Sequence, residues 1–210
     1  MCNQIKHGKI KTLFLDIGGV LLTNGWGHES RYEAIEKFRL NKEEVEDRHK
    51  IAFDTYEIDK ITFDDYLDWV IFYQERKFSK EAFTAFIFQQ SQPLDGCIAF
   101  FKELKTQHQL KVIAVSNEGR DLNEYRIKQF KLDELFDAYV SSCYVHLHKP
   151  DKGMLQMACD ISHTRPEHAL YIDDTLLLVE VAASFGLQTL HFQGLDAAKK
   201  SLKKYKFHKQ

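Results

Sequence analysis

Short apolar runs recur along the chain, and each one ends where glycine or polar residues begin. The first run covers residues 11–15 and stops at Asp16, which is followed by Ile17, Gly18 and Gly19. Four similar runs come later, at residues 111–115, 138–142, 169–172 and 187–192. Continuous apolar runs of this length, bounded by turn residues, are typical of buried strands. The pattern therefore predicts five strands.

Apolar residues at helical spacing fill the stretches between the later runs. After Asp95 they recur as Ile98, Phe101 and Leu104, which is the repeat of one helix face. The same spacing appears in residues 122–130, 154–158 and 179–183. Strands that alternate with helices indicate a parallel sheet covered on both faces. We predict an α/β fold, a Rossmann-like three-layer sandwich with a mainly parallel five-stranded sheet.

The stretch from about residue 26 to residue 92 departs from this alternation and carries helix signals instead. Two of its segments fit the capping-box pattern of helix starts, Asn41 with Glu44 and Thr62 with Asp65. We therefore predict a helical cap domain inserted after the first strand. The predicted boundaries are residues 25–92 for the cap and residues 1–24 with 93–210 for the core domain.

The composition is that of a soluble globular protein, with 44% hydrophobic and 29% charged residues. The formal net charge is -2, so a broad basic field for nucleic acid or an anionic membrane is not expected. The one basic cluster, the lysines of residues 199–206, is expected to be a solvated helix face. An apolar stretch of about 20 residues, as a membrane span requires, is also missing from the sequence.

The cysteines predict a reducing compartment. Cys2, Cys97, Cys143 and Cys159 form neither a C-x-x-C pair nor a zinc-ligand spacing. The N-terminal residues lack the apolar stretch of a signal peptide. Free thiols and a cytoplasmic location are therefore the expectation.

Polar residues stand at the ends of four of the predicted strands. They are Asp16, then Ser116 and Asn117, then Lys149 after a short loop, and finally Asp173 and Asp174. The carboxyl ends of parallel strands meet at one edge of the sheet. These residues, although far apart in sequence, are therefore expected to lie together in one crevice.

The residue types in this group suit phosphoryl transfer. Clustered carboxylates repel each other unless a cation neutralises them, and Mg²⁺ prefers hard oxygen ligands while leaving positions open for water and phosphate. The carboxylate of Asp16 can attack phosphorus and form an aspartyl-phosphate. Ser116 and Lys149 can bind phosphate oxygens, and the backbone N–H groups of Gly18 and Gly19 can approach them closely.

Four segments resemble, in order, the motifs of the haloacid dehalogenase superfamily. They are Leu-Phe-Leu-Asp16-Ile-Gly18-Gly19-Val20, Ala-Val-Ser116-Asn117, His148-Lys149-Pro150-Asp151 and Tyr-Ile-Asp173-Asp174-Thr175. The helical insert after the first motif is similar to the cap of one branch of this superfamily. That branch includes sugar-1-phosphate phosphatases and β-phosphoglucomutase-like phosphatases. The resemblance spans nearly the whole chain.

The resemblance implies a hydrolase that needs Mg²⁺ and uses Asp16 as its nucleophile. The implied metal ligands are Asp16, the backbone carbonyl of Gly18, and Asp173 and Asp174, with Asp173 the first choice as a direct ligand. The implied residues for phosphate and substrate are Gly18, Gly19, Ser116, Asn117 and Lys149. Lys149 is also implied in catalysis, together with Asp16.

Gly18 is a departure from the usual first motif. Phosphatases of this family usually carry an aspartate at this position, which protonates the leaving oxygen and then activates water. General acid–base help of this kind is worth about 10²–10⁴ in rate. The variant Asp-x-Gly-(Gly/Asn)-Val nevertheless resembles the first motif of sugar-1-phosphate phosphatases, whose leaving groups need less help.

Further residues are weaker candidates for the site. Arg120 could reach a substrate, although an ion pair is favoured, and His146 and His148 could donate protons. Trp26, His28 and Arg31 begin the insert and could face the crevice.

Three hypotheses remain open at this point. The first is a magnesium-dependent phosphomonoesterase for a small phosphorylated metabolite, such as a sugar phosphate. The second is a non-catalytic protein that binds phosphate or a metabolite, since Gly18 lacks the usual carboxyl group. The third is a haloacid dehalogenase. The expected partner is a small phosphorylated substrate, without nucleic acid or membrane, and the chain is expected to be a monomer or a homodimer.

Overall fold

The computed structural model describes residues 8–208. The strands of this part are β1 (Thr12–Leu15), β2 (Lys111–Ser116), β3 (Ala138–Ser141), β4 (Ala169–Asp173) and β5 (Gln188–His191). The helices are α1 (His28–Phe38), α2 (Lys42–Glu57), α3 (Phe63–Val70), α4 (Lys80–Gln89), α5 (Cys97–His108), α6 (Arg120–Gln129), α7 (Ser142–Val145), α8 (Lys152–Ser162), α9 (Leu176–Phe185) and α10 (Leu195–Leu202). Two short 3₁₀ helices, Leu132–Glu134 and Pro166–His168, complete the regular structure.

The strands form one parallel sheet in the order β3-β2-β1-β4-β5. β1 is the central strand, and the chain crosses from one side of it to the other between β3 and β4. All five strands lie within a residue or two of the predicted runs. The predicted α/β fold with a parallel five-stranded sheet is therefore confirmed. All carboxyl ends of its strands lie at the same edge.

Alternate side chains of each strand point to opposite faces of the sheet. Because both faces are apolar, helices cover both of them. On one face Leu13 and Leu15 belong to an apolar cluster with Phe101 of α5. On the other face Phe14 belongs to a separate cluster with Met154 of α8. Both clusters are buried, so the core consists of three layers.

Residues 25–92, between β1 and α5, form α1 to α4 and no strand. We call residues 25–92 the helical insert. Its own apolar cluster is rich in aromatic side chains, among them Tyr66 and Phe83. The predicted capping box of Thr62 and Asp65 is confirmed at the start of α3. At α2, Asn41 caps the helix by accepting from the N–H of Glu44, without the return bond. The division into two domains stays a prediction.

Polar contacts inside the insert use two of the residues that begin it. The indole N–H of Trp26 donates to the hydroxyl of Tyr66 over 2.7 Å, and Nδ1 of His49 lies 2.7 Å from the same hydroxyl. The guanidinium of Arg31 pairs with Glu46. Trp26 and Arg31 therefore stabilise the insert, and their suggested role toward the crevice stays a prediction.

Two linking segments join the insert to the core, and they pair with each other. The N–H of Thr23 donates to the carbonyl of Gln92 over 2.8 Å, and that of Leu94 donates to the carbonyl of Leu21 over 2.9 Å. Arg126 of α6 bonds to both segments through the carbonyl of Thr23 and the hydroxyl of Ser91, each over 2.9 Å. One buried side chain therefore fixes both crossings between insert and core.

The lysines of residues 199–206 lie exposed on α10 and just after it, which confirms the predicted solvated face. Cys97, Cys143 and Cys159 are buried free thiols, as predicted, while Cys2 lies outside the described residues. None of the helices in residues 8–208 combines the length and the apolarity that crossing a membrane requires.

Candidate active site

Three carboxylates meet at the carboxyl edge of the sheet. Asp16 directly follows β1, Asp173 ends the neighbouring strand β4, and Asp174 comes next. One carboxylate oxygen from each residue lies within 4.8 Å of the other two. The parallel register that pairs Leu15 with Ile172 brings these strand ends together.

The ammonium group of Lys149 lies between two of these carboxylates. Its Nζ is 3.0 Å from Oδ2 of Asp16 and 2.8 Å from Oδ2 of Asp173. The side chain of Asn117 holds the backbone of Lys149 from both sides. Its Oδ1 accepts from the N–H of Lys149 over 2.7 Å, and its Nδ2 donates to the carbonyl over 3.1 Å. Asn117 thus positions Lys149, and its role toward a substrate stays a prediction.

Ser116 ends β2 beside Asp16 and is buried. Its hydroxyl is close enough to lower the pKa of the Asp16 carboxyl group. The structure therefore brings together Asp16, Ser116, Lys149, Asp173 and Asp174, as the sequence predicted from the ends of parallel strands.

Burial dominates the electrostatics of Asp16. It raises the pKa of the carboxyl group to about 6, with a further upward contribution from Asp173, against the lowering effects of Lys149 and Ser116. For Lys149, burial alone would lower the pKa, but Asp16, Tyr171 and Asp173 outweigh it and raise the pKa well above its usual range. Lys149 therefore stays charged, and Asp16 gains from any further positive charge that enters the site.

Asp173 and Asp174 differ in how much of their hydrogen-bonding capacity is used. The carboxylate of Asp173 is fully buried and accepts from Lys149, from the hydroxyl of Tyr171 and from the N–H of Thr175. Asp174 is partly exposed, and its one contact of this kind is a 3.5 Å approach of the Thr175 hydroxyl. Asp174 offers the more available oxygens. The first choice of Asp173 as the direct metal ligand stays a prediction.

The two glycines after the nucleophile position serve different purposes. Gly19 has a φ of +70°, and a Cβ there would lie 2.0 Å from Oδ2 of Asp174, so both backbone and packing require glycine. Its N–H donates to the carbonyl of Leu22 over 2.7 Å. A role of this N–H in binding phosphate stays a prediction that requires this bond to open. At Gly18 a Cβ would lie 2.9 Å from Oδ1 of Asn24, which occupies the adjacent space.

The family model described as a haloacid dehalogenase-like hydrolase matches residues 10–186 of the chain. The match covers every residue of the site and the whole insert. The chain belongs to the haloacid dehalogenase-like hydrolases. The resemblance seen in the sequence is thereby confirmed at the level of the superfamily, while the helical-cap branch within it stays a prediction.

Solved structures of other haloacid dehalogenase (HAD)-like proteins share the fold. A HAD family enzyme from Bacteroides thetaiotaomicron aligns with a TM-score of 0.77 and 21% identity, over 89% of this chain and 95% of its own. The same enzyme has been crystallised with magnesium and inorganic phosphate, and this complex aligns with a TM-score of 0.75 and 21% identity, over 88% of this chain and 95% of its own. A predicted HAD-like family hydrolase from Porphyromonas gingivalis gives 0.71 and 17%, over 93% of this chain and 99% of its own. No curated protein matches the chain in sequence.

The donor set of this HAD-like hydrolase fits a divalent cation. Asp16, Asp173 and Asp174 can supply three carboxylates within one small volume, whereas Lys149 supplies a single ammonium group. When all are ionised, the group carries a surplus of negative charge that is costly in a buried site. Hard oxygen ligands of this kind suit Mg²⁺.

A buried ion pair beside the site escaped the sequence analysis. Arg126 of α6 is 1% exposed and pairs with Glu118, which is 5% exposed and follows Ser116 by two residues. A signal was present, since Arg126 falls on the same helix face as Leu122 and Phe130. An arginine within an apolar stripe indicates a buried charge that needs a partner.

Two of the weaker candidates join the insert to the core instead. Arg120 forms a two-pronged ion pair with Asp59, as favoured from the sequence. Nδ1 of His146 lies 2.9 Å from the carbonyl of Ile58. Both contacts fix the segment that follows α2 against the loops after β2 and β3.

Proposed function

We propose that this HAD-like hydrolase is a magnesium-dependent phosphomonoesterase. Its substrate is a small phosphorylated metabolite, such as a sugar phosphate. The observation that carries the proposal is the surplus of negative charge formed by Asp16, Asp173 and Asp174 around the single ammonium group of Lys149. The crystallised complex of the Bacteroides thetaiotaomicron enzyme with magnesium and inorganic phosphate supports it.

The residues of the site divide the work of a two-step phosphoryl transfer. An oxygen of Asp16 attacks phosphorus, so that one O–P bond forms while the bond to the leaving oxygen breaks. Lys149 adjoins Asp16 and places positive charge where the phosphate oxygens arrive. The hydroxyl of Ser116, which lies beside Asp16, can donate to a phosphate oxygen. Water then attacks the aspartyl-phosphate and restores Asp16.

Mg²⁺, held by Asp16, Asp173, Asp174 and the backbone carbonyl of Gly18, would offset the negative charge of carboxylates and phosphate. Asn117 keeps the backbone of Lys149 in place during these steps.

The two other hypotheses leave parts of the site without a purpose. Attack of Asp16 on a carbon–halogen bond needs no divalent cation, so the pair Asp173 and Asp174 would be surplus. A protein that binds phosphate without hydrolysing it has no use for a carboxylate at the attacking position. Asp16 is 8% exposed, and its burial next to Asp173 carries a free-energy cost that binding alone does not require.

The test is phosphate release from a panel of phosphate monoesters with the metal removed and then Mg²⁺ restored. We expect turnover with Mg²⁺ and its loss in a chelator. Asp16→Asn is expected to lower kcat by at least about 10⁴, since the nucleophile is removed. Asp47→Asn, which changes an exposed aspartate of α2 in the same way, is the matched control and is expected to keep wild-type activity.

Three outcomes would overturn the proposal. One is stabilisation of the fold by Mg²⁺ and phosphate, as linkage predicts for a binding protein, with no turnover of any ester. The second is metal-independent chloride release from 2-chloroacids. The third is phosphatase activity that survives in Asp16→Asn.

A further inference from the structure

Glu57 is a buried carboxyl group that the steps above do not use. It is the last residue of α2 in the helical insert and is 9% exposed. A carboxyl group in such a buried position destabilises the fold when it ionises. A functional role would explain why it is there.

Three contacts hold the end of α2 against the two loops that carry Ser116 and Lys149. The ring of Tyr56 packs so closely on Gly119 that a Cβ there would lie 2.2 Å from it. On the other side of Glu57, the carbonyl of Ile58 meets His146 over 2.9 Å. The next residue, Asp59, pairs with Arg120 over 2.9 and 2.7 Å. Glu57 is thus flanked by fixed residues on both sides.

The contacts of Tyr56, Ile58 and Asp59 place Glu57 between the loops that follow β2 and β3. Burial raises its pKa to about 7, the charges of Asp54 and Glu118 add to this, and the charges of His148 and Lys149 oppose it. Lys149 is the residue whose ammonium group contacts Asp16. Glu57 therefore lies at the side of the site formed by these loops, and its carboxyl group can hold a proton near neutral pH.

The geometry of phosphoryl transfer requires a proton donor on this side. The attacking and leaving oxygens lie roughly in line, on opposite sides of phosphorus. Asp16 attacks from the edge of the sheet, so the leaving oxygen faces the insert. Gly18 has no side chain to protonate it, and the adjacent space is filled by Asn24.

We propose that Glu57 is the general acid and general base of this site, supplied by the insert in place of the carboxyl group that Gly18 lacks. The inference rests on the proposed phosphomonoesterase function. In the first step an Asp16 oxygen bonds to phosphorus, the bond to the leaving oxygen breaks, and that oxygen takes the proton of Glu57. In the second step Glu57 takes a proton from water as the water oxygen bonds to phosphorus. The bond to Asp16 then breaks, which releases phosphate.

Glu118 is the other buried glutamate near the site, and it is less suited to this role. Its carboxylate pairs with the guanidinium of Arg126. Burial raises the pKa of the Glu118 carboxyl group against the lowering effect of Arg126, but giving it a proton would leave the buried guanidinium of Arg126 uncompensated.

The test compares Glu57→Gln with wild type on two esters, glycerol phosphate with a poor leaving group and p-nitrophenyl phosphate with a good one. For glycerol phosphate we expect kcat/KM to fall by about 10²–10⁴. For p-nitrophenyl phosphate we expect kcat/KM to stay within about threefold, because this parameter ends with the departure of a group that needs no proton. Its kcat should fall, with a burst of nitrophenol, because the aspartyl-phosphate loses its general base.

Glu43→Gln is the matched control, since it makes the same change at an exposed position of the same helix. It is expected to leave both esters at wild-type rates. A second variant adds the usual carboxyl group at its usual place. Gly18→Asp displaces the far end of the Asn24 side chain, and it is expected to restore part of the glycerol phosphate activity of Glu57→Gln.

The outcomes separate this inference from the function on which it rests. If wild type is active and Glu57→Gln lowers kcat/KM equally for both esters, the role of Glu57 alone is overturned. The same holds if Glu57→Gln lowers kcat/KM for neither ester. A wild-type protein that hydrolyses neither ester nor any other phosphate monoester overturns the proposed function and this role with it.

Discussion

The carboxylate of Asp59 and the guanidinium of Arg120 form a two-pronged ion pair, with one oxygen 2.9 Å from Nε and the other 2.7 Å from Nη2. The pair joins the residues after α2 to the start of α6. Both side chains are partly exposed, so solvent screens their attraction and the pair stabilises the fold by less than about 1 kcal/mol. Its larger effect is on position, because it fixes the end of the helix that carries Glu57.

Arg120→Ala is therefore expected to affect activity more than stability. The free energy of unfolding should fall by less than about 1 kcal/mol in urea titrations. The kcat/KM for glycerol phosphate should fall by about tenfold or more, because a small displacement of an acid–base group is costly in rate. An equal loss with p-nitrophenyl phosphate would contradict the positional role.

Lys149→Met is expected to destabilise the metal-free protein strongly. The substitution leaves Asp16 and Asp173 buried without their shared cation, and removal of one partner of a buried pair costs about 3–5 kcal/mol. Mg²⁺ should stabilise this variant more than it stabilises wild type, because it replaces part of the lost positive charge. Thermal denaturation with and without Mg²⁺ measures both effects. Lys200→Met, at an exposed position of α10, is the control. Equal stabilisation of Lys149→Met and of wild type by Mg²⁺ would contradict the prediction.

The pair of Arg126 and Glu118 offers a double-mutant cycle. Arg126→Met leaves Glu118 buried and uncompensated, and it also breaks the bonds to Thr23 and Ser91. We expect a loss of about 3–5 kcal/mol in the free energy of unfolding. Arg126→Met combined with Glu118→Gln should lose less than the sum of the two single changes. Strict additivity would show that the two charges are not coupled.

Glu57 makes a prediction about stability that does not depend on activity. Its pKa is raised to about 7 by burial and by the charges of Asp54 and Glu118, against those of His148 and Lys149. At pH values between the pKa of Glu57 in the unfolded chain and its pKa in the folded chain, the folded state binds more protons than the unfolded state. The free energy of unfolding therefore falls as the pH rises. Glu57→Gln should match wild type near about pH 4 and exceed it by up to about 3 kcal/mol near about pH 8. Urea titrations at both pH values measure the difference in the free energy of unfolding between variant and wild type. A difference that does not change with pH would show that the pKa of Glu57 is not raised by burial.

His49 has the opposite dependence. Burial lowers its pKa to about 4, with Arg31 adding to the effect and Glu46 opposing it. In this pH range His49 is protonated in the unfolded chain but not in the folded chain. The free energy of unfolding therefore falls as the pH falls from about 6.5 to about 4. Over this pH range the free energy of unfolding of His49→Gln should fall by on the order of 3 kcal/mol less than that of wild type. Identical acid denaturation of variant and wild type would contradict it.

The sequence alone determined the number of strands, their parallel direction and the main group of site residues. Apolar runs that alternate with helical patterns specify a parallel sheet, because strands buried on both faces read as continuous apolar runs. Once the strands are parallel, their carboxyl ends share one edge. Asp16, Lys149 and Asp173 are then expected at the same edge of the sheet, and the strand order brings them into contact. The start of α3 at Thr62 is also predictable from the sequence, because a capping box depends only on residues close together in the chain.

The tertiary structure decided the contacts between segments that no local pattern links. Three contacts depend on how distant segments pack together: the side chain of Asn24 beside Gly18, the pair of Arg126 with Glu118, and the pair of Asp59 with Arg120. Periodicity shows which face of a helix is buried, but it does not show against what that face packs. A partner for a buried charge is a property of three-dimensional neighbours, and those exist only after the chain has folded.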